Sequence, residues 1–326
     1  MNHWLYEQIS IQDNSRKPSF SVQAVSNWYK ALKFEIESKH GKSTTEQIES
    51  CRDFYRKDKL NKPIHAFPHS DVFEHLTFSV IYAMTVDRFA LELSQIPWIR
   101  PTAIVDWYYA TYFSIRSMLP IFGHKIPEDH SKTAKFVSST FRTHLPYPFD
   151  MLAQRTEGED YAVFINGTQP VHYDLNRTFI SMDTVAQGML AQYLQGTATW
   201  NVEKTKSNIL RDNKNIENFR SKNARKIRDS RLISEIGFLH CAYRQRTKAN
   251  YRDSIYLSYD YGENINLDTF IGNLSVSAKF ASITAIACIE HYIGHSSVNA
   301  FIEDLRVNLR GIDIAKSSEK YWMEFL

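Results

Sequence analysis

The stretch Trp107–Phe136, WYYATYFSIRSMLPIFGHKIPEDHSKTAKF, reads as helix, stop, helix. Pro101, just upstream, suits the first turn of a helix, where its missing N–H leaves nothing unbonded, and Pro120 ends that helix. Between them Ile104, Tyr108, Phe113, Ile115, Met118 and Leu119 recur at roughly helical spacing, and Val105, Tyr109 and Tyr112 widen the apolar stripe. A helix this aromatic is expected to pack on more than one side. Gly123 and Pro127 supply turn chemistry. Glu128, Asp129 and Ser131 then offer caps for a second helix through Ala134, Phe136, Val137 and Phe141, with acidic groups at its positive end.

Upstream, Phe20–Glu37 has an amphipathic helical pattern, Lys57–Pro63 marks a loop, and Val72–Leu93 is a long apolar helix leading through Pro97. Residues 1–100 therefore form an N-terminal helical segment with short connections, as in a bundle. The middle differs. Two prolines in Leu145–Pro148 break the helical pattern, and Tyr161–Ile165 and Val171–Leu175 read as short strands around Asn166-Gly167, a hairpin pair. Helix resumes over Ser181–Leu194, so 145–201 is read as an insertion carrying a small β-hairpin. Downstream, Ile233–Tyr259 and Asp268–Ile293 are predicted helices. Ser296 or Ser297 is expected to cap a last one ending at Arg310-Gly311, within C-terminal helices over 263–326.

The chain of 326 residues is rich in aromatics and poor in Gly and Pro, which favours a helical globule without low-complexity arms. Its net charge of +3 hides an asymmetry. Between Glu203 and Arg231 ten Lys and Arg face four acids, leaving that stretch +6 and the remainder −3. Two readings stay open: a surface facing phosphates, or a solvated helix face laced with ion pairs. Cys51, Cys241 and Cys288 are scattered and form no C-x-x-C, as expected of reduced, buried thiols. Met1–Ser10 lacks a basic start and apolar run, and Phe280–Ile289 is shorter than the ~20 residues of a span. The expectation is a cytoplasmic protein without a membrane partner.

A second segment, Tyr243–Tyr256 (YRQRTKANYRDSIY), gives the first one a context. Tyr108-Tyr109-Ala110, Arg116, Leu119, Gly123, His130-Ser131 and Phe136, with Arg246-Thr-Lys-Ala249-Asn250-Tyr251 later, resemble the helix pair and the R-x-x-A-D-Y segment of the HEPN superfamily. Asn250 stands where that segment has an acid, and the long stretch between the matches is a departure. The resemblance implies a mainly α fold: a helical bundle of HEPN type over 101–144 and 202–262, interrupted by the insertion. It also implies a homodimer of a bacterial antiviral-defence or toxin–antitoxin system that binds RNA or a nucleotide. Arg116, Arg244, Lys248 and Arg252 would bind the ligand. If RNA is cut, Arg246, Asn250, Tyr251 and His130 would be catalytic. The family's ribonucleases pair an Arg with a His four to six residues on, where Arg steadies phosphate charge and His moves a proton. That spacing is absent here: Tyr251 occupies the slot, and Arg116 to His124 is one residue too long. The departure favours the alternative of a non-catalytic scaffold that binds another protein or itself.

No cofactor is implied, because no phosphate-cradling glycine loop, nucleophile elbow or dinucleotide fingerprint occurs. His65, His69 and His75 with Asp71 and Glu74 could in principle bind zinc, as could His291 and His295. The first set crosses a Phe-Pro loop and the second is split by Gly294, so solvated, core or helix-end histidines are the expectation and no metal site is assigned.

Overall fold

The computed structural model describes residues 18–57, 69–167, 169, 183–252, 257–258 and 267–308. In chain order its helices begin with α1 (Pro18–His40), α2 (Thr44–Lys57), α3 (His69–Glu92) and α4 (Arg100–Met118). After α5 (His130–Phe136) come strands β1 (Leu152–Arg155) and β2 (Tyr161–Phe164), then α6 (Asp183–Asp212) and α7 (Lys222–Arg231). Strand β3 (Glu235–Gly237) precedes α8 (Phe238–Thr247), a π-turn Lys248–Arg252, α9 (Phe270–Ile293) and α10 (His295–Asn308). The protein is thus mainly helical with one small antiparallel sheet. Two compact units divide the chain. The first takes Met1–Ile126, Leu175–Ala186 and Gln245–Leu326; the second takes Pro127–Asp174 and Gln187–Arg244.

The first unit is built around α9, which packs against α1, α2, α3 and α4. A helix surrounded by others must be apolar all round, and α9 buries Phe270, Leu274, Phe280, Ile283, Ile286 and Ile289. Its small residues let neighbours come close, and their hydroxyls are satisfied across the bundle. Ser282 and Ser114 both meet Ser79, at 2.9 and 2.5 Å, and the Trp107 indole N–H donates to Ser277 at 2.5 Å. Tyr29 meets the edges of Trp107 and Phe270. With 24 residues, α9 reaches the length of a membrane span, so the short Phe280–Ile289 run does not settle that question. Most of its side chains are buried inside the unit.

Helix α2 falls within the expected helical segment, over a stretch where no individual helix was picked out. A reciprocal capping box starts it: the Ser43 N–H donates to the Glu46 carboxylate, and the Glu46 N–H donates to the Ser43 hydroxyl. Helix α10 begins at His295, directly after Gly294 at φ +110, so Ser296 and Ser297 lie inside its first turn rather than capping it. Arg310-Gly311 lies outside the described residues.

In the second unit, Asp129 caps α5 by accepting from the Lys132 N–H at 2.7 Å, as its position predicted. Strand β2 is the expected Tyr161 run, and among the described residues it pairs with β1, a strand that was not expected, with Leu152 opposite Phe164 and Arg155 opposite Tyr161. The turn between them is Thr156–Asp160, closed by the Thr156 N–H donating to the Asp160 carbonyl, with Gly158 at φ +54. Asn166 and Gly167 take left-handed conformations just after β2, where the turn was expected. Val171–Leu175 lies outside the described residues. The sheet has a third strand, order β2-β1-β3, because Glu235–Gly237 pairs with Leu152–Gln154. The expected helix over Ile233–Tyr259 therefore starts only at Phe238. The approach is close at Gly237, where a Cβ would come within 3.2 Å of the Ser138 side chain and 3.3 Å of the Met151 carbonyl. All three cysteines are buried free thiols, and burial pushes Cys51 and Cys241 up to about 12.

Candidate functional site

One face of α4 belongs to the core and the other carries the site. Ile104, Trp107, Tyr108, Ile115 and Met118 point inward, which turns Asp106, Tyr109, Phe113 and Arg116 to the opposite side at helical spacing. On α3, His75, Phe78 and Tyr82 repeat the same spacing. Their rings form a ladder. Tyr82 stacks on Tyr109 at 5.2 Å and on Phe113 at 6.1 Å, Phe78 lies 5.1 Å from Phe113, and His75 lies 5.7 Å from it. Phe78 is 41% exposed, so the ladder reaches solvent.

The later of the two quoted segments meets this ladder. The turn Lys248–Arg252 packs on α4. Arg246 donates from Nη2 to the Tyr109 hydroxyl at 2.9 Å, with its guanidinium carbon 5.5 Å from the Tyr109 ring centre and 5.9 Å from that of Tyr108. Among the described residues no carboxylate pairs with it. Arg116 sits over Tyr112 at 5.1 Å and donates to its hydroxyl at 2.5 Å. Cation–π contacts of this kind hold a guanidinium without neutralising its charge.

Two titratable groups complete the face. The His75 Nδ1–H donates to the Asp71 carbonyl at 2.7 Å, leaving Nε2 as the basic nitrogen. Burial, and to a smaller extent the Arg116 charge, lower its pKa against the opposing pull of the Asp71 hydrogen bond. Burial pushes Asp106 up to about 6, and its charge together with burial raises the Tyr82 hydroxyl.

The other expected site residues are spread over both units. Lys248 is half-buried and Asn250 exposed in the turn after Arg246. The backbones of Tyr251 and Arg252 complete that turn, and their side chains lie outside the description. His130 and Arg244 belong to the second unit. His130 opens α5 and stacks on Tyr243 at 5.9 Å. Arg244 sits between Tyr193 and Trp200, at 5.5 and 5.7 Å, and donates to the Thr197 hydroxyl at 3.2 Å.

The basic stretch also divides. Arg228 is buried and binds Glu159 and Asp229, Lys206 binds Glu159 and Glu203, and Arg231 faces Asp212 at 3.8 Å. Lys214, Arg220, Lys222, Arg225 and Lys226 are exposed and have no acidic partner among the described residues. The ion-pair reading therefore holds for part of the run and fails for the rest.

Among the described residues no group of His, Cys, Asp and Glu is arranged to hold a metal, and His65 lies outside them. Glu290 is taken up by Arg52, which binds it through Nε and Nη2 at 2.8 and 3.0 Å, and by His295 at 2.7 Å. Burial pushes Glu290 up, but these bonds outweigh it and hold the carboxyl below its ordinary value. A cleft of about 230 Å³ beside it is lined by Arg52, Arg56, Ala287 and His291, its polar floor already occupied by that ion pair.

Comparison with protein families, curated proteins and solved structures finds no match to this chain. The face is read from its geometry alone. Sequence reasoning singled out Arg116 and Arg246 but read Tyr109 and Phe113 as parts of an apolar stripe, and it passed over Asp106, Tyr82 and the role of His75. The signal was a polar residue breaking an apolar repeat: Asp106 before Tyr109 and Phe113, and His75 before Phe78 and Tyr82.

Proposed function

We propose that the protein binds RNA or a nucleotide on the α3/α4 ladder, with bases stacking against Tyr82, Tyr109, Phe113 and Phe78 and phosphates drawn to Arg246 and Arg116. The observation that carries this reading is Arg246, a guanidinium seated on Tyr109 that no carboxylate among the described residues meets. Proteins that bind single strands combine aromatic stacking with cationic groups in this manner. The HEPN-like character of the bundle, and with it a place in a bacterial defence or toxin–antitoxin system, belongs to the same proposal. Its support is the meeting of the two segments that carry the resemblance.

Salt dependence tests the reading. Binding of a fluorescent single-stranded RNA should weaken as salt rises, with a log–log slope near −0.7 for each phosphate engaged. Arg246→Ala should reduce that slope by about 0.7. An unchanged slope would remove Arg246 from the site. Incubation with total RNA decides cleavage: identical uncut profiles for wild type and Arg246→Ala leave binding as the sole activity.

A second reading, a protein-binding scaffold or homodimer, is favoured by Leu91 and Trp98, which are 59% and 63% exposed. Sedimentation of wild type as a dimer and of Trp98→Ser as a monomer would support it. A monomeric wild type at micromolar concentration would count against self-association.

A further inference from the structure

Asp106 is a carboxylate that the packing of the first unit leaves unexplained. It stands one turn before Tyr109 and two turns before Phe113, on the face of α4 that carries the ladder. It is largely buried, burial alone accounts for its displaced titration, and among the described residues it has neither a hydrogen-bond donor nor a cationic partner. Neighbouring rings cannot solvate a charge, so ionised Asp106 carries an uncompensated desolvation cost. Asparagine would fill the same space without that cost. A group held at such a cost beside stacked rings and a guanidinium is suited to a ligand that brings two donors of its own.

We propose that Asp106 selects guanine, its two carboxylate oxygens accepting from the adjacent N1–H and 2-amino group of a base stacked on Tyr82 and Tyr109. This rests on the RNA or nucleotide reading above. The chemistry discriminates sharply. Among the four RNA bases, guanine alone presents two neighbouring donors on its pairing edge. Adenine and cytosine place an acceptor next to the amino group, and uracil flanks its single N–H with carbonyls, so each would set a lone pair against the carboxylate. Arg246 on Tyr109 is placed to meet the phosphate of the same nucleotide. A guanine in a strand and a free guanine nucleotide share this chemistry.

Fluorescence anisotropy with short labelled RNAs tests it, using strands in which uridine alternates with guanosine, inosine, adenosine or cytidine. Inosine keeps N1–H and lacks the 2-amino group. The guanosine strand should bind roughly tenfold tighter than the adenosine and cytidine strands, with inosine between. In Asp106→Asn, which presents an amide N–H₂ to the base, the ratio of guanosine to inosine affinities should fall to about one. Competition by unlabelled guanosine monophosphate at strand-like affinity assigns a free nucleotide as the ligand, and weak competition assigns the strand. Equal binding of the guanosine and inosine strands by wild type, or an unchanged ratio in Asp106→Asn, overturns the selection while leaving the RNA reading in place. Absence of binding to every strand and to the mononucleotide overturns both.

Discussion

Arg228 and Arg246 are the same side chain put to opposite uses. In the second unit, Arg228 is sunk into the surface and spent on carboxylates: Nη1 reaches Glu159 at 2.5 Å, and Nε and Nη2 hold Asp229 at 2.9 and 2.7 Å. In the first unit, Arg246 rests on tyrosine rings, its charge unneutralised by any described acid. The strongest charge asymmetry in the chain thus includes cations already compensated within the fold. The guanidinium best placed for a ligand comes from Tyr243–Tyr256, where Arg244, Arg246, Lys248 and Arg252 stand against Asp253. Local charge density does not tell the two stretches apart; what decides is whether a cation's partner is a carboxylate or a ring.

The contrast can be sharpened first at the buried acids. Burial pushes both Asp106 and Asp150 up to about 6, but the Arg142 charge pulls Asp150 partly back. A folded-state pKa above the ordinary 3.8 means that the folded form releases its proton less readily than the unfolded chain. Stability therefore falls as pH rises from about 4 to about 6 and stays lowered above that. Asp106→Asn should be more stable than wild type by up to about 3 kcal/mol near pH 7, with the gain vanishing near pH 4. Urea unfolding at the two pH values checks it. Asp150→Asn should gain a similar amount, because its displacement is the same once the Arg142 attraction is included.

The second test breaks the Arg228 cluster. Arg228→Ala leaves Glu159 and Asp229 without their guanidinium; with both acids partly in water, the expected loss is about 2 kcal/mol. A thermal midpoint lowered by several degrees, with RNA affinity of the folded protein unchanged, fits the comparison. A fall in affinity with unaltered stability would reverse it. Arg246→Ala should do the converse, weakening RNA binding about tenfold, or about 1.4 kcal/mol, with little change in the midpoint. The smallest effect is expected at the exposed cations of α7. Lys222→Ser or Lys226→Ser should alter stability by less than about 0.5 kcal/mol.

Much of the helical frame is legible in residue order. Most of the stripe from Ile104 to Met118, Pro101 at the helix start and Asp129 as a cap all act within a turn or two, and the structure has them, although Phe113 turns to the ladder instead. Helix α2, not singled out within the expected helical segment, carries local signals of the same kind: Ser43 and Glu46 form its capping box, and Ile48, Cys51 and Tyr55 supply a buried stripe among charges. Strands β1 and β3 carry none. Each is three or four residues long, and neither Leu152-Ala153-Gln154-Arg155 nor Glu235-Ile236-Gly237 shows sustained alternation. They are strands because distant segments pair there.

The same division separates the parts of the candidate site. Residue order alone determined that Tyr109, Phe113 and Arg116 share one side of a helix, since a repeat of 3.6 residues leaves no alternative. It could not determine that Tyr82 would stack on Tyr109, that Arg246, 137 residues later, would reach the Tyr109 hydroxyl, or that Asp106 would be largely buried beside them. Those facts come from packing around α9. Desolvation and the choice between a ring and a carboxylate as partner depend on neighbours that only the folded chain brings together.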